Sequence, residues 1–141
     1  MKTRPLLAAL ALAAAGVILD GCSSAPAPVA EGPTVSLLEP ANGATVSSPF
    51  KVRFGVKGMK VVVAGDMSEG TGHHHLLINQ APIPAGQVIP VTPLHIHFGS
   101  AQTEAQITLA PGSYRLTAQF GNGAHQSYGP PMSQTITITV K

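Results

Sequence analysis

Phe50, Val52, Phe54 and Val56 alternate with Lys51, Arg53, Gly55 and Lys57. Side chains two apart along a β-strand share a face. This stretch is therefore a strand with one apolar side, which must be buried against another layer. The same period returns at Val35 and Leu37, at Ile107 and Leu109, at Tyr114, Leu116, Ala118 and Phe120, and at Ile136, Ile138 and Val140. In Leu94-His95-Ile96-His97-Phe98 the three apolar residues are expected on the core face. Turn chemistry separates these runs at Glu39-Pro40-Ala41-Asn42-Gly43-Ala44, Pro111-Gly112 and Asn122-Gly123. Nothing beyond residue 33 sustains a helical period. Several short strands with one apolar face each imply two antiparallel sheets packed face to face, a β-sandwich.

Two local features refine that expectation. Leu109-Ala110-Pro111-Gly112-Ser113-Tyr114-Arg115-Leu116 resembles the approach to the penultimate strand of immunoglobulin-like domains, and the resemblance implies an immunoglobulin-like antiparallel β-sandwich. Tyr114 is then either a tyrosine-corner residue, with its hydroxyl on nearby backbone, or a simple core tyrosine. Asn79 to Pro93 contains Pro82, Pro84, Pro90 and Pro93. Proline brings no ladder donor, so this is a long loop with extended portions and not a central strand.

The N-terminal part has a different character. Residues 1–21 read as a secretory signal: Lys2 and Arg4 precede an apolar run from Leu6 to Leu19 that is short for a membrane span. Leu19-Asp20-Gly21-Cys22 resembles the lipobox of bacterial lipoproteins, with Asp20 as its departure. Cys22 is then the lipidated residue and the anchor to the membrane. Ser23 follows it, and by resemblance to such lipoproteins the protein belongs at the outer membrane facing the periplasm. Residues 22–33 are rich in Pro, Ala and Ser and form a tether, and residues 34–141 form the domain. Cys22 is the only cysteine, so no internal disulfide supports the fold.

Charge narrows the possible partners. From Cys22 onward there are six basic side chains (Lys51, Arg53, Lys57, Lys60, Arg115, Lys141) and five acidic ones (Glu31, Glu39, Asp66, Glu69, Glu104). A net charge of +1 is too small to attract nucleic acid. Enzyme chemistry also lacks its usual parts. Ser127 lies near His125, but there is no Gly-x-Ser-x-Gly elbow, no phosphate-binding loop and few carboxylates for acid–base work. A non-enzyme is expected.

The chemical signal is in the histidines. All six lie in three short stretches: His73, His74 and His75; His95 and His97; and His125. Alternation places His74 with Leu76 and Ile78 on the core side, leaving His73, His75 and Leu77 on the other. His95 and His97 likewise share the face opposite Ile96. Residues two apart on one face are separated by roughly 6.6 Å of backbone. From there two imidazoles can converge on one ion at about 2.0 Å per bond. If the two strands are neighbours, His73, His75, His95 and His97 are candidate metal ligands, with His125 joining from the turn. An all-imidazole set suits copper or zinc, whereas calcium and magnesium want oxygen. Asp66, Met67 and Glu69 just precede the first cluster as secondary candidates.

Together, Gly72-His73-His74-His75-Leu76-Leu77-Ile78, Leu94-His95-Ile96-His97-Phe98-Gly99, Gln102-Thr103-Glu104 and Gly123-Ala124-His125-Gln126-Ser127-Tyr128-Gly129-Pro130 resemble the DUF4399 family. The resemblance spans roughly Val52 to Val140. It implies a secreted or lipoprotein context and treats the histidine blocks as one unit, without supplying a mechanism. The family pattern often carries aspartate where Asn79 and Asn122 stand, a departure that would weaken binding if those acids touched the histidines.

The leading expectation is thus a periplasmic, lipid-anchored module that binds copper or zinc as a buffer, carrier or sensor. A second reading is a structural or interaction lipoprotein of the envelope, with histidines hydrogen-bonded to hold the proline-rich loop. A third is a pH-responsive binding surface.

Overall fold

A computed structural model describes residues 31–141. The signal, Cys22 and the tether up to residue 30 lie outside the described residues. Residues 31–33 are exposed and irregular, and the first strand begins at Thr34.

Nine strands follow: β1 (Thr34–Glu39), β2 (Thr45–Val46), β3 (Phe50–Lys57), β4 (Lys60–Val61), β5 (Thr71–Ile78), β6 (His95–Phe98), β7 (Glu104–Ile107), β8 (Gly112–Gly121) and β9 (Ser133–Val140). A short 3-10 turn at Pro130–Met132 precedes β9. One sheet has the order β1-β3-β7 and the other β2-β9-β8-β5-β4, with β6 also pairing β5. The long pairings are antiparallel, and only the two-residue contacts β2–β9 and β4–β5 are parallel. The sandwich expected from the alternation is the one observed.

The core lies between the sheets, built by the residues whose period predicted it. Val35, Leu37, Phe50, Val52, Phe54 and Ile107 face Leu76, Ile78, Phe98, Leu116, Ala118, Phe120, Ile136, Ile138 and Val140. Full burial of one such side chain contributes about 1.5–3 kcal/mol. Across the sandwich, the backbone N–H of Leu37 donates to the Gln134 side-chain carbonyl at 2.7 Å. Tyr114 donates its hydroxyl to the Ala110 carbonyl at 3.0 Å, which is the hydrogen bond of a tyrosine corner. Leu94 departs from expectation. It is 45% exposed, because the strand begins one residue later, after the turn that pairs Thr92 with His95.

β5 organises the site. Every residue from Thr71 to Ile78 is buried. It pairs with β8 along one edge and with both β4 and β6 along the other. One of its faces meets the opposite sheet. The other, expected only to face outward, is covered in turn by the proline-rich loop and the segment after β8. Leu77 is buried under this cover and Ile89 within it, both outside the main core.

Candidate metal centre

Alternation along β5 splits the three adjacent histidines. His74 points into the sandwich, where its ring stacks on Phe54 at 4.7 Å between centroids and 14° between planes. It meets Phe120 edge-on at 5.1 Å. His73 and His75 point the other way, and both are fully buried.

Register brings the next ring in. Antiparallel pairing of β5 with β6 sets His75 opposite His97 and Leu77 opposite His95. Since the strands run in opposite directions, moving from His97 to His95 moves away from His73. His95 therefore shares the face but stands one rung too far along. Its Nδ1 instead lies 2.9 Å from the Thr92 hydroxyl. Of the five expected ligands, His73, His75, His97 and His125 come together and His95 does not.

His125 arrives on a tight turn. The Asn122 side-chain oxygen accepts from the backbone N–H groups of Ala124 (2.9 Å) and Gln126 (3.0 Å). The His125 N–H donates to the Asn122 carbonyl at 2.9 Å. Gly123 packs so closely on the Asp66 backbone that no side chain fits there. His125 itself holds a φ of +63°, a left-handed conformation that non-glycine residues adopt at a cost of about 1–2 kcal/mol. Asn122 thus serves the turn, and Asn79 spends its side-chain oxygen on the Arg115 N–H at 2.9 Å. Both side-chain oxygens are thus taken up by backbone N–H groups. Asp66 is outside the histidine group, its carboxylate accepting from the Ser68 N–H.

Three residues that sequence reasoning passed over build the chamber. Gln119 on β8 lies opposite His75 and is fully buried. Its Oε1 accepts from the Ile83 N–H at 3.0 Å, while its Nε2 donates to the carbonyls of Gly129 and Met132, both at 3.1 Å. One side chain thereby ties both covering segments to the sheet. The alternation did mark Gln119 as outward, but an outward polar residue on a strand is ordinarily read as solvent-facing. Gly99 has no room for a Cβ, because the His97 ring occupies that space, and a Cβ at Gly121 would come within 3.2 Å of the His75 ring. These two glycines admit the imidazoles.

Backbone pairing closes the cover. Ile89 donates to the His125 carbonyl at 2.8 Å, Gly86 to Ser127 at 2.9 Å, and Ser127 to Gln87 at 2.8 Å. The Ser127 hydroxyl donates to the Ile83 carbonyl at 2.8 Å. On the other flank, Ala64 donates to Gly99 at 2.8 Å and Gly65 to Gly123 at 2.9 Å.

The electrostatics favour neutral rings. Burial first, then the neighbouring His97 and His125, lowers the pKa of His73 to about 4. Burial, followed by His73, takes His74 to about 4. Burial again leads for His75, at about 2, with the other histidines adding to it. His97 is lowered by burial and by His125. A neutral imidazole is the form that ligates a metal.

The donor atoms lack partners. Among the described residues, both ring nitrogens of His73, His74 and His75, and Nε2 of His97, are buried without a hydrogen bond. Each such group costs about 1–3 kcal/mol when left unmade. In the four-membered group, one ligand atom per ring lies within 4.8 Å of every other. These four histidines can hold a metal ion, and an ion would satisfy one orphaned nitrogen on each buried ring.

A family model described as "Domain of unknown function (DUF4399)" matches residues 52–141. No curated protein matches, and no solved structure does. The matched segment contains β5, β6, the Asn122–Gln126 turn and all six histidines, and the chain belongs to the DUF4399 family.

Proposed function

We propose that this protein is a lipid-anchored, periplasm-facing module of the bacterial outer membrane that binds zinc or copper through His73, His75, His97 and His125. One observation carries the reading: four imidazoles meet within 4.8 Å, and the buried ones have no other partner in the protein. Buried polar atoms that find no partner in the protein call for an ion, an ordered water or a catalytic use. Four protein ligands fill a tetrahedral shell and leave no place for an activated water, so the module binds and does not catalyse. A buffer, carrier or sensor suits such a site. Lipidation of Cys22 would hold the domain on a tether at the membrane.

The alternative, in which the histidines are structural, needs them to hold the proline-rich loop by hydrogen bonds. Gln119, Ser127 and the His125 backbone hold it instead.

Two measurements test the proposal. Protein equilibrated with zinc or copper and then desalted should retain one ion per chain by elemental analysis, and a chelator should lower its melting temperature. No retained ion and no chelator effect would favour structural histidines. In cells, Cys22→Ser should move the protein from the membrane fraction to the soluble one, and unchanged partitioning would remove the lipid anchor from the account.

A further inference from the structure

Resting on the metal-site reading above, we infer that the four-histidine centre selects a tetrahedral ion, zinc(II), over copper(II), which prefers a square-planar arrangement. The imidazole rings themselves distinguish the two geometries. With a metal–nitrogen bond of about 2.0–2.1 Å, the ion sits about 3.2 Å from each ring centroid. A tetrahedral shell then puts every pair of centroids about 5.2 Å apart. A square-planar shell needs four neighbouring pairs near about 4.5 Å and two opposite pairs near about 6.4 Å.

The six separations decide between them. They are 4.5 Å for His97–His125, 4.8 Å for His73–His75, 4.9 Å for His73–His97, 5.1 Å for His73–His125, 5.2 Å for His75–His97 and 6.0 Å for His75–His125. Only His75–His125 approaches a trans distance. Its complementary pair, His73–His97, is at 4.9 Å and would have to open by more than 1 Å. The other two ways of pairing the rings contain no long separation. The set is a tetrahedron stretched along one edge.

That shape is held by backbone. His73 and His75 lie on β5, hydrogen-bonded on both sides, and His97 is fixed opposite His75 by register. The His97 ring also lies against the Gly99 backbone, which stops it swinging that way. His125 is held on its turn as well, its N–H donating to the Asn122 carbonyl at 2.9 Å and its carbonyl accepting from the Ile89 N–H at 2.8 Å, so the backbone opposes conversion of the tetrahedron into a square. Rings on paired strands are preorganised, and a shell so held opposes the general preference of nitrogen sites for copper(II) over zinc. Copper(I) is also content with four-coordinate tetrahedral sites. It prefers sulfur, however, and the ligand group contains none.

The test uses purified protein with zinc(II), copper(II) and cobalt(II) as probes, and copper(I) under reducing conditions as a further arm. Cobalt(II) should give the intense visible absorption of a four-coordinate tetrahedral ion, and zinc should displace it. In direct competition, zinc should bind more tightly than copper(II), the reverse of the order that unconstrained nitrogen ligands give. Weak, octahedral-type cobalt absorption would overturn the inference. So would tighter binding of copper(II) than of zinc, although that result would leave the metal site standing. Copper(I) outcompeting zinc would overturn the choice of zinc while retaining the tetrahedral geometry. No binding of any probe would overturn both the inference and the site.

Discussion

Zinc at a thousandfold excess over its dissociation constant is expected to stabilise the domain by about 4 kcal/mol. For a domain of this size, that is a rise in melting temperature on the order of 15 °C or more. The stabilisation follows from the geometry of the site. His73 and His75 are wholly buried with all four nitrogens unpaired, and their partners His97 and His125 are already in place. The ligand nitrogens lie within 4.8 Å of one another, and the ion draws them in to the roughly 3.4 Å that a tetrahedral zinc shell sets. His75→Leu keeps the volume and removes two of the unpaired nitrogens, so the metal-free variant should be as stable as the parent or more so. It should gain almost nothing from zinc. Thermal unfolding followed by circular dichroism, with and without zinc, separates the two effects. An unchanged zinc response in His75→Leu would contradict the ligand assignment.

Acid should unfold the metal-free domain early. His73, His74 and His75 are neutral in the folded state, with pKa values lowered to about 4, 4 and 2, against an ordinary value near 6.5. The unfolded chain binds more protons below about pH 6.5, so the neutral rings contribute their stability above that pH and lose it below. The loss runs from pH 6.5 down through about pH 4 for His73 and His74 and further for His75. Each ring contributes a slope of at most about 1.4 kcal/mol per pH unit. Three rings give at most about 4 kcal/mol per unit. Urea unfolding midpoints at pH 7.5, 6 and 5 should fall steadily, and a flat series would contradict the burial of these rings. His74→Leu should remove part of the slope and leave zinc binding intact, because His74 lies on the core side of β5, stacked on Phe54.

Period-two alternation was enough to recover the sandwich and to separate His74 from His73 and His75. It reports which face a side chain takes. It does not report rung or cover. The expectation for His95 failed on rung: a register shifted by two would have set His95 opposite His75, and only the observed pairing places it opposite Leu77. The burial of His73 and His75 failed on cover. Nothing local in their sequence signals that Gln119, forty-odd positions away, fastens the proline-rich loop above them. Asn122-Gly123 was legible as a turn, and the turn does deliver His125. The left-handed backbone at His125 has no sequence signature, since histidine there is held against its preference by Asn122 and Gly123. Leu94 misled because apolar alternation continued one residue beyond the strand that begins at His95.

Calorimetric titration of the purified protein with zinc tests the central claim most directly. The account predicts one zinc per chain and an affinity unchanged in His95→Ala. In His97→Ala it predicts a loss exceeding the roughly 10–100-fold that removing only an outer support of a metal ligand costs. Binding no tighter than that of an isolated surface histidine, or binding equal in the parent and His97→Ala, would contradict it.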